Sequence, residues 1–162
     1  MFTDIDHKHP DVRQDIFNWV RWLSTQLKLG GFRFDGVKHY SGKFLRDLLH
    51  WIDREVDSNW FFVGEYWRTD SDVLARFIDY MGGRMSLFDF ELVGKFSRLS
   101  LGEDVDLRTV FNDSLVALKP ENAVTFVRNH DIVSAFSLVP EIPSAHRYHS
   151  NPAGHSMAGQ WK

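Results

Sequence analysis

The stretch GFRFDGVKH, residues 31–39, decides the fold that we predict for this chain. Apolar and polar residues alternate in its first half with the period of two that is typical of a β-strand, and we expect the strand to stop at Gly36. Arg33 and Asp35 lie two residues apart, so the strand presents both side chains on one face. The stretch therefore predicts a β-strand that delivers Asp35, with Arg33 beside it, to the carboxyl end.

Helices and strands alternate on both sides of this stretch. An amphipathic helix is predicted from Pro10 to Leu27, and Gly30 and Gly31 end it. Downstream, the pattern predicts helices over residues 43–56, 71–80 (capped by Ser71) and near 107–118, and strands over residues 60–65, 85–90 and 123–127. Strand–helix units of about 30 residues are typical of a parallel α/β sheet.

Two parallel architectures fit this pattern. One is the eight-stranded (β/α)8 TIM barrel, of which four units are about half, and the other is a doubly wound open sheet. Polar residues at the carboxyl ends of several strands favour the barrel, because Asp35, Glu65 and the triplet Asn129-His130-Asp131 follow three of the predicted strands. We therefore predict the α/β class and a partial catalytic barrel over residues 1–131. The periodic pattern stops after Asp131, and we expect residues 132–162 to be an irregular tail that is foreign to this fold.

Composition and charge argue against several classes of protein. The chain has 162 residues, 43% hydrophobic and 25% charged, which is the balance of an ordinary soluble globular domain. Its net charge of −3 gives no electrostatic reason to expect a nucleic acid or an acidic membrane as partner. No run approaches the roughly 20 apolar residues of a transmembrane helix. The opening MFTDIDHKHP lacks the apolar run of a secretory signal, so we expect a cytoplasmic rather than a secreted protein.

Asp35 and Glu65 are candidates for the cleavage of a glycosidic bond. That reaction requires one carboxylate at the anomeric carbon and one carboxylic acid that protonates the leaving oxygen. Neighbouring parallel strands lie about 4.8 Å apart, which matches the close carboxyl spacing of retaining enzymes. Arg33 would keep Asp35 ionised, as a nucleophile requires, and the apolar residues before Glu65 favour its protonated form. Taken alone, each acid has an alternative role as a helix cap or an ion-pair partner.

Three motifs, in order, resemble conserved regions of the α-amylase family. GFRFDGVKH (residues 31–39) is similar to the family's second region, VGEYW (residues 63–67) to the third, and FVRNHD (residues 126–131) to the fourth. The opening residues 3–12 are similar to the segment before the third helix of liquefying-type α-amylases. The resemblance covers residues 3–131, and it implies that the chain runs from approximately the third helix through the seventh strand of the family's barrel.

The resemblance implies a role for each matching residue. Asp35 is the expected nucleophile, Glu65 the general acid/base, and Asp131 the third catalytic carboxylate, which binds sugar hydroxyls and helps to distort the ring at the cleavage site. The residues expected at the sugar subsites are Arg33, Lys38, His39, Tyr66, Trp67 and His130. A structural Ca²⁺ is expected at the Asp4 carboxylate and the backbone carbonyl of His39, in keeping with the preference of calcium for oxygen ligands.

The expected reaction is the retaining, endo-acting hydrolysis of α-1,4-glucosidic bonds in starch- or glycogen-type α-glucans. A transglycosylase is the alternative within the enzyme class, because a covalent intermediate can pass to a sugar as well as to water. A non-catalytic, amylase-like fragment that binds α-glucan is the alternative from another class.

The sequence departs from the family's pattern at several points. Arg128 precedes the Asn-His-Asp triplet where the family often has Asp, Glu or Gly, and Ile132 stands in place of the usual Thr. The family's first conserved region is absent from these 162 residues. We therefore expect low or no activity from this chain alone.

Overall fold

Strands and helices alternate in the computed structural model of the chain, which describes residues 5–102 and 106–131. The helices are α1 (Pro10–Gln26), α2 (Gly42–Glu55), α3 (Ser71–Tyr80), α4 (Phe90–Ser100) and α5 (Leu115–Leu118). The strands are β1 (Gly31–Phe34), β2 (Phe61–Gly64), β3 (Ser86–Phe88) and β4 (Ala123–Val124). Short 3₁₀ helices lie at Val37–His39, Leu107–Thr109 and Pro120–Asn122. The predicted tail, residues 132–162, lies outside the described residues.

The four strands form one parallel sheet in the order β1-β2-β3-β4. Their carboxyl ends therefore meet at one edge of the sheet, which we call the carboxyl edge. The register pairs Phe34 of β1 with Gly64 of β2. Asp35 and Glu65 are the next residues along each strand, so they leave the sheet side by side. The backbone continues this alignment, because the N–H of Glu65 donates to the carbonyl of Phe34 at 2.8 Å.

Gly31 allows β1 to approach β2 closely at the opposite end. Its φ of 151° is one that side chains rarely adopt, and a Cβ at this position would lie 1.8 Å from the carbonyl oxygen of Phe61. Next to it, the N–H of Phe61 donates to the carbonyl of Gly30 at 2.8 Å. Glycine at position 31 is thus a requirement of the strand register that aligns the two carboxylates.

Helix α2 supplies a large part of the core beneath the sheet. Ser41 caps it by accepting a hydrogen bond from the N–H of Phe44 at 3.3 Å. Its apolar residues recur at helical spacing and are all buried: Phe44, Leu45, Leu48, Leu49 and Ile52. Full burial of such a side chain stabilises the fold by about 1.5–3 kcal/mol before the cost of lost entropy, so this one face anchors the helix.

Helix α1 is joined to α2 by charge as well as by apolar contact. The Arg13 guanidinium lies 3.0 Å from the Asp47 carboxylate, and Lys43 lies 2.9 Å from the same oxygen. Burial opposes the charge on Asp47, but hydrogen bonds from Lys43 and Arg13 outweigh it and hold the pKa of this carboxyl below its ordinary value.

Within the described ranges, no helix is both long enough and apolar enough to cross a membrane.

The cap of α3 and the presence of α4 differ from the sequence prediction. Ser71 was the predicted cap of α3, but Asp70 is the cap and accepts from the N–H of Val73 at 3.1 Å. The third strand was predicted to reach Phe90, but it ends at Phe88, and α4 occupies Phe90–Ser100, where no helix was predicted. The reason is Asp89, whose carboxylate caps α4 and so starts a helix at the point where the alternating pattern still reads as a strand.

The helix predicted near residues 107–118 is also divided. The structure has a 3₁₀ helix at Leu107–Thr109, a turn, and then the four-residue α5. Asp113 sits in the turn with a φ of 56°, a left-handed conformation that no α-helix accommodates. Ser114 then caps α5 by accepting from the N–H of Ala117 at 3.3 Å. The apolar spacing predicted a helix, but the turn residues interrupt it.

Candidate active site

Three acidic residues directly follow strands at the carboxyl edge, and their surroundings differ. Asp35 follows β1, and its side chain is 74% exposed to solvent. Glu65 follows β2, and its side chain is only 9% exposed. Asp89 follows β3 and is fully buried. An exposed and a buried carboxylate on adjacent strands match the different tasks of a nucleophile and a general acid.

Arg33 joins Asp35 to Glu65. Its Nη1 donates to Oδ1 of Asp35, and its Nη2 lies 3.0 Å from Oε1 of Glu65. The prediction that Arg33 and Asp35 share one face of the strand agrees with this contact. The sequence had suggested only apolar surroundings for Glu65, so the ion pair with Arg33 is a finding of the structure.

Glu65 is fixed by the backbone as well. Its Oε2 accepts a hydrogen bond from the N–H of Gly36 at 3.2 Å, and its carbonyl accepts from the N–H of Val37 at 2.9 Å. Oε1 is buried and has no hydrogen bond to any described residue, since Arg33 approaches it at ion-pair distance but without hydrogen-bond geometry. Oε2 is therefore held in place, whereas Oε1 can still accept a hydrogen bond.

Asp89 has a structural role, although it also ends a strand. One carboxylate oxygen accepts from the N–H of Leu92 at 3.0 Å, and the other accepts from the N–H of Val116 at 2.9 Å. These bonds cap α4 and tie it to α5. The helix-cap alternative for a strand-end acid thus applies to Asp89, which leaves Asp35 and Glu65 as the candidate pair.

Tyr40 is a residue of this site that the sequence reasoning passed over. It lines a cavity of about 470 Å³ together with Arg33 and Asp35. Burial raises the pKa of its hydroxyl, and the negative charge of Asp35 raises it further, while Arg33 lowers it. The hydroxyl therefore remains a protonated hydrogen-bond donor beside the two carboxylates. Its signal in the sequence was its position directly after the Lys38-His39 pair of the motif.

The third motif reaches the same edge from the loop after β4. His130 lines a cavity of about 230 Å³ together with Arg33, so the structure brings residues of the first and third motifs together. The Nε2 of His130 lies 3.3 Å from Oδ2 of Asp131, and both side chains are substantially exposed. Asp131 thus lies beside His130, which shares this cavity with Arg33, and the proposed contact of Asp131 with sugar stays a prediction.

The other residues predicted to contact sugar lie around this edge. Trp67 stacks on Phe90 with ring centroids 4.9 Å apart, and Tyr66 meets Phe77 edge-on at 5.0 Å. Each of these rings therefore packs partly against the protein. Lys38 is exposed, and its Nζ lies 3.5 Å from the carbonyl oxygen of Trp67. Their roles in binding sugar remain predictions.

The described residues do not make up a complete calcium site. Asp4, one predicted ligand, lies outside them. His39, the other, lines a cavity of about 430 Å³ with Asp6, His7 and the cationic Lys8. Within residues 5–102 and 106–131, no three histidine or acidic side chains are arranged to hold a metal ion. Calcium stays a prediction from the family resemblance.

The chain is similar to several curated proteins over most of its own length. It is 38% identical to "Alpha-amylase" of Bacillus licheniformis over 139 residues, which are 85% of this chain and 27% of that protein. It is 39% identical to "Alpha-amylase" of Geobacillus stearothermophilus, over 81% of this chain and 24% of that protein. "Cytoplasmic alpha-amylase" of Escherichia coli (strain K12) is 36% identical, over 81% of this chain and 27% of that protein. The chain thus spans about a quarter of the length of these relatives.

A solved structure supports the fold. A crystal structure of an Anoxybacillus α-amylase superposes with a TM-score of 0.69 over 80% of this chain and 29% of that chain, at 23% sequence identity. No family model matches the sequence. The parallel sheet and this superposition confirm the predicted α/β class and the partial (β/α)8 barrel.

Proposed function

Because this chain is a partial segment of the α-amylase family, we propose that it carries the catalytic pair of a retaining α-glucan hydrolase, with Asp35 as nucleophile and Glu65 as general acid/base. One observation carries the proposal. The guanidinium of Arg33 contacts both carboxylates, which leave adjacent parallel strands side by side. The α-1,4-glucosidic bond of starch- or glycogen-type glucans is the proposed target.

The first step uses the two carboxylates together. An oxygen of Asp35 attacks the anomeric carbon, and the bond from that carbon to the leaving oxygen breaks. The proton held by Glu65 passes to the leaving oxygen. The exposure of Asp35 supports this assignment, since a nucleophile must reach the sugar, and the hydrogen bond from the Gly36 N–H holds Glu65 in place beside it.

The second step reverses the roles of acid and base. Glu65, now ionised, takes a proton from a water molecule as the water attacks the anomeric carbon, and the bond between Asp35 and the sugar breaks. Asp35 carries the negative charge before the first step, and Glu65 carries it after that step. Arg33 contacts both groups, so it stabilises whichever of them is charged.

The contacts favour a retaining over an inverting outcome. Inverting enzymes separate their carboxyl groups by roughly 6.5–9.5 Å to admit a water molecule, whereas retaining enzymes hold them at about 5–5.5 Å. One guanidinium binds Asp35 through Nη1 and approaches Glu65 at 3.0 Å through Nη2, which favours the shorter separation. Nucleophilic attack by Asp35 then needs no intervening water.

The proposal predicts the configuration of the first product. Maltooligosaccharide incubated with the full chain should release its new reducing end first as the α-anomer, because two displacements at the anomeric carbon restore its original configuration. Proton NMR of the anomeric signals, recorded before mutarotation, measures this ratio. Asp35→Asn should release neither anomer above background. Release of the β-anomer first would contradict the assignment of Asp35 as nucleophile.

A further inference from the structure

Arg128 lines the same cavity as Arg33. β4 ends at Val124, and the loop that follows it brings Arg128 and His130 to the cavity of about 230 Å³ that Arg33 also lines. The apolar part of the lining comes from Phe88 and Phe126, whose rings meet edge-on at 5.4 Å. Three side chains that carry or can carry a positive charge therefore line one small space at the carboxyl edge.

Among residues 5–102 and 106–131, Arg128 is the member of this set whose charge has no acidic partner. Arg33 is paired with Asp35 and Glu65, and His130 lies 3.3 Å from Asp131. Arg128 is exposed and makes no ion pair or hydrogen bond with the part of the chain that the structure describes. A guanidinium presents a planar fork of donors that matches the oxygens of a phosphate or carboxylate.

We propose that Arg128 binds an anionic substituent, a phosphate monoester or a carboxylate, on an α-glucan held at Asp35 and Glu65. This inference rests on the proposed function and narrows its substrate class. The aromatic residues Phe88 and Phe126 favour a sugar-borne anion over a free ion, because an apolar wall suits the face of a pyranose ring. Arg128 is thus a specificity-determining residue, and the bond-breaking steps do not use it.

The test compares the binding of neutral and anionic trisaccharides to the full chain. The probes are maltotriose, maltotriose with a phosphate monoester on a primary hydroxyl, maltotriose with that hydroxymethyl group oxidised to a carboxylate, and inorganic phosphate. Titration calorimetry at fixed ionic strength should give about tenfold tighter binding of one or both anionic trisaccharides than of maltotriose, the gain of one charge-assisted hydrogen-bond pair. The two anionic arms distinguish a phosphate from a carboxylate.

Variants attribute the preference to Arg128. Arg128→Gln should bind neutral and anionic trisaccharides equally, and Arg128→Lys should keep part of the preference, because it retains the charge but loses the fork. Arg54→Gln removes the same charge from an exposed position in the last turn of α2, at the opposite end of the sheet, and should behave like the unaltered chain. Circular dichroism checks that each variant folds.

The outcomes separate the anion-binding role of Arg128 from the proposed hydrolase function. Equal affinity for maltotriose and both anionic probes, or a preference that survives in Arg128→Gln, overturns the role of Arg128 and leaves the proposed function standing. Failure of every trisaccharide to bind overturns both. If inorganic phosphate binds as tightly as the phosphorylated trisaccharide, the claim that Arg128 recognises an anion carried by a sugar is overturned. Arg128 would then be an exposed anion contact only.

Discussion

Replacement of Glu65 with Gln is expected to lower the already weak release of reducing ends from soluble starch by about 10²–10⁴-fold, the usual contribution of a general acid or base. Gln is close to Glu in size and can keep the hydrogen bond from the N–H of Gly36. It has no proton to give to the leaving oxygen and cannot activate water. The loss should therefore arise from chemistry and not from a change of fold, and a reducing-sugar assay measures it.

An activated substrate separates the two roles of Glu65. Fluoride leaves without protonation, so α-maltosyl fluoride should still react with the Asp35 nucleophile of Glu65→Gln in one rapid turnover, visible as a burst of fluoride. Glu121→Gln is the matched control, because Glu121 is exposed in the 3₁₀ helix before β4, at the far end of the sheet. Equal starch hydrolysis by Glu65→Gln and Glu121→Gln would show that Glu65 is not the acid.

Replacement of Arg84 with Ala is expected to lower the free energy of unfolding by about 3 kcal/mol. The guanidinium binds both oxygens of Asp53 at 2.8–3.0 Å and donates to the carbonyls of Ser58 and Trp60 at 3.1 and 2.7 Å. It also lies 4.5 Å from the ring of Phe62. Arg84 therefore ties α2, β2 and the start of β3 together, and its loss leaves a partly buried carboxylate and two carbonyls without this partner.

Urea unfolding followed by circular dichroism measures this loss. The free energy of unfolding of Arg84→Lys should lie between those of the unaltered chain and Arg84→Ala, because an ammonium keeps the charge but cannot bind Asp53 through two nitrogens. The exposed Arg54→Ala is the control and should stay within about 0.5 kcal/mol of the unaltered chain. Arg84 and Asp53 are each about one-quarter exposed, so the predicted loss is set at the lower end of the range for buried pairs. An Arg84→Ala midpoint equal to that of Arg54→Ala would contradict this role.

The elements with strong hydrophobic patterns were predictable from the sequence. The apolar run before Glu65 gave β2 nearly to the residue, and α3 spans the predicted Ser71–Tyr80, although its cap is Asp70. The elements that were predicted wrongly depend on single side chains. Asp89 starts a helix within an apparently continuous strand, and Asp113 breaks an apparently continuous helix with a left-handed backbone. The spacing of hydrophobic residues carries no information about such local hydrogen bonds and backbone conformations.

Most residues of the candidate site could be predicted from the sequence, whereas the contacts between them could not. Parallel strands in sequential order place Asp35 beside Glu65, and this follows from the spacing of the motifs alone. The reach of Arg33 from β1 across to Glu65 on β2 was not visible, because it is a contact between strands that depends on register. Tyr40 was missed for the same reason, since only the fold brings it to the cavity beside Asp35.

Trapping of the covalent intermediate tests the central claim, that Asp35 is the nucleophile, most directly. A 5-fluoro α-maltosyl fluoride slows the breakdown of a glycosyl-enzyme more than its formation, so the sugar should accumulate on the full chain. Mass spectrometry of the digested protein should then find the sugar on the peptide that contains Asp35, and Asp35→Asn should carry none. Attachment to any other residue, or turnover of the reagent by Asp35→Asn at the unaltered rate, would contradict the account.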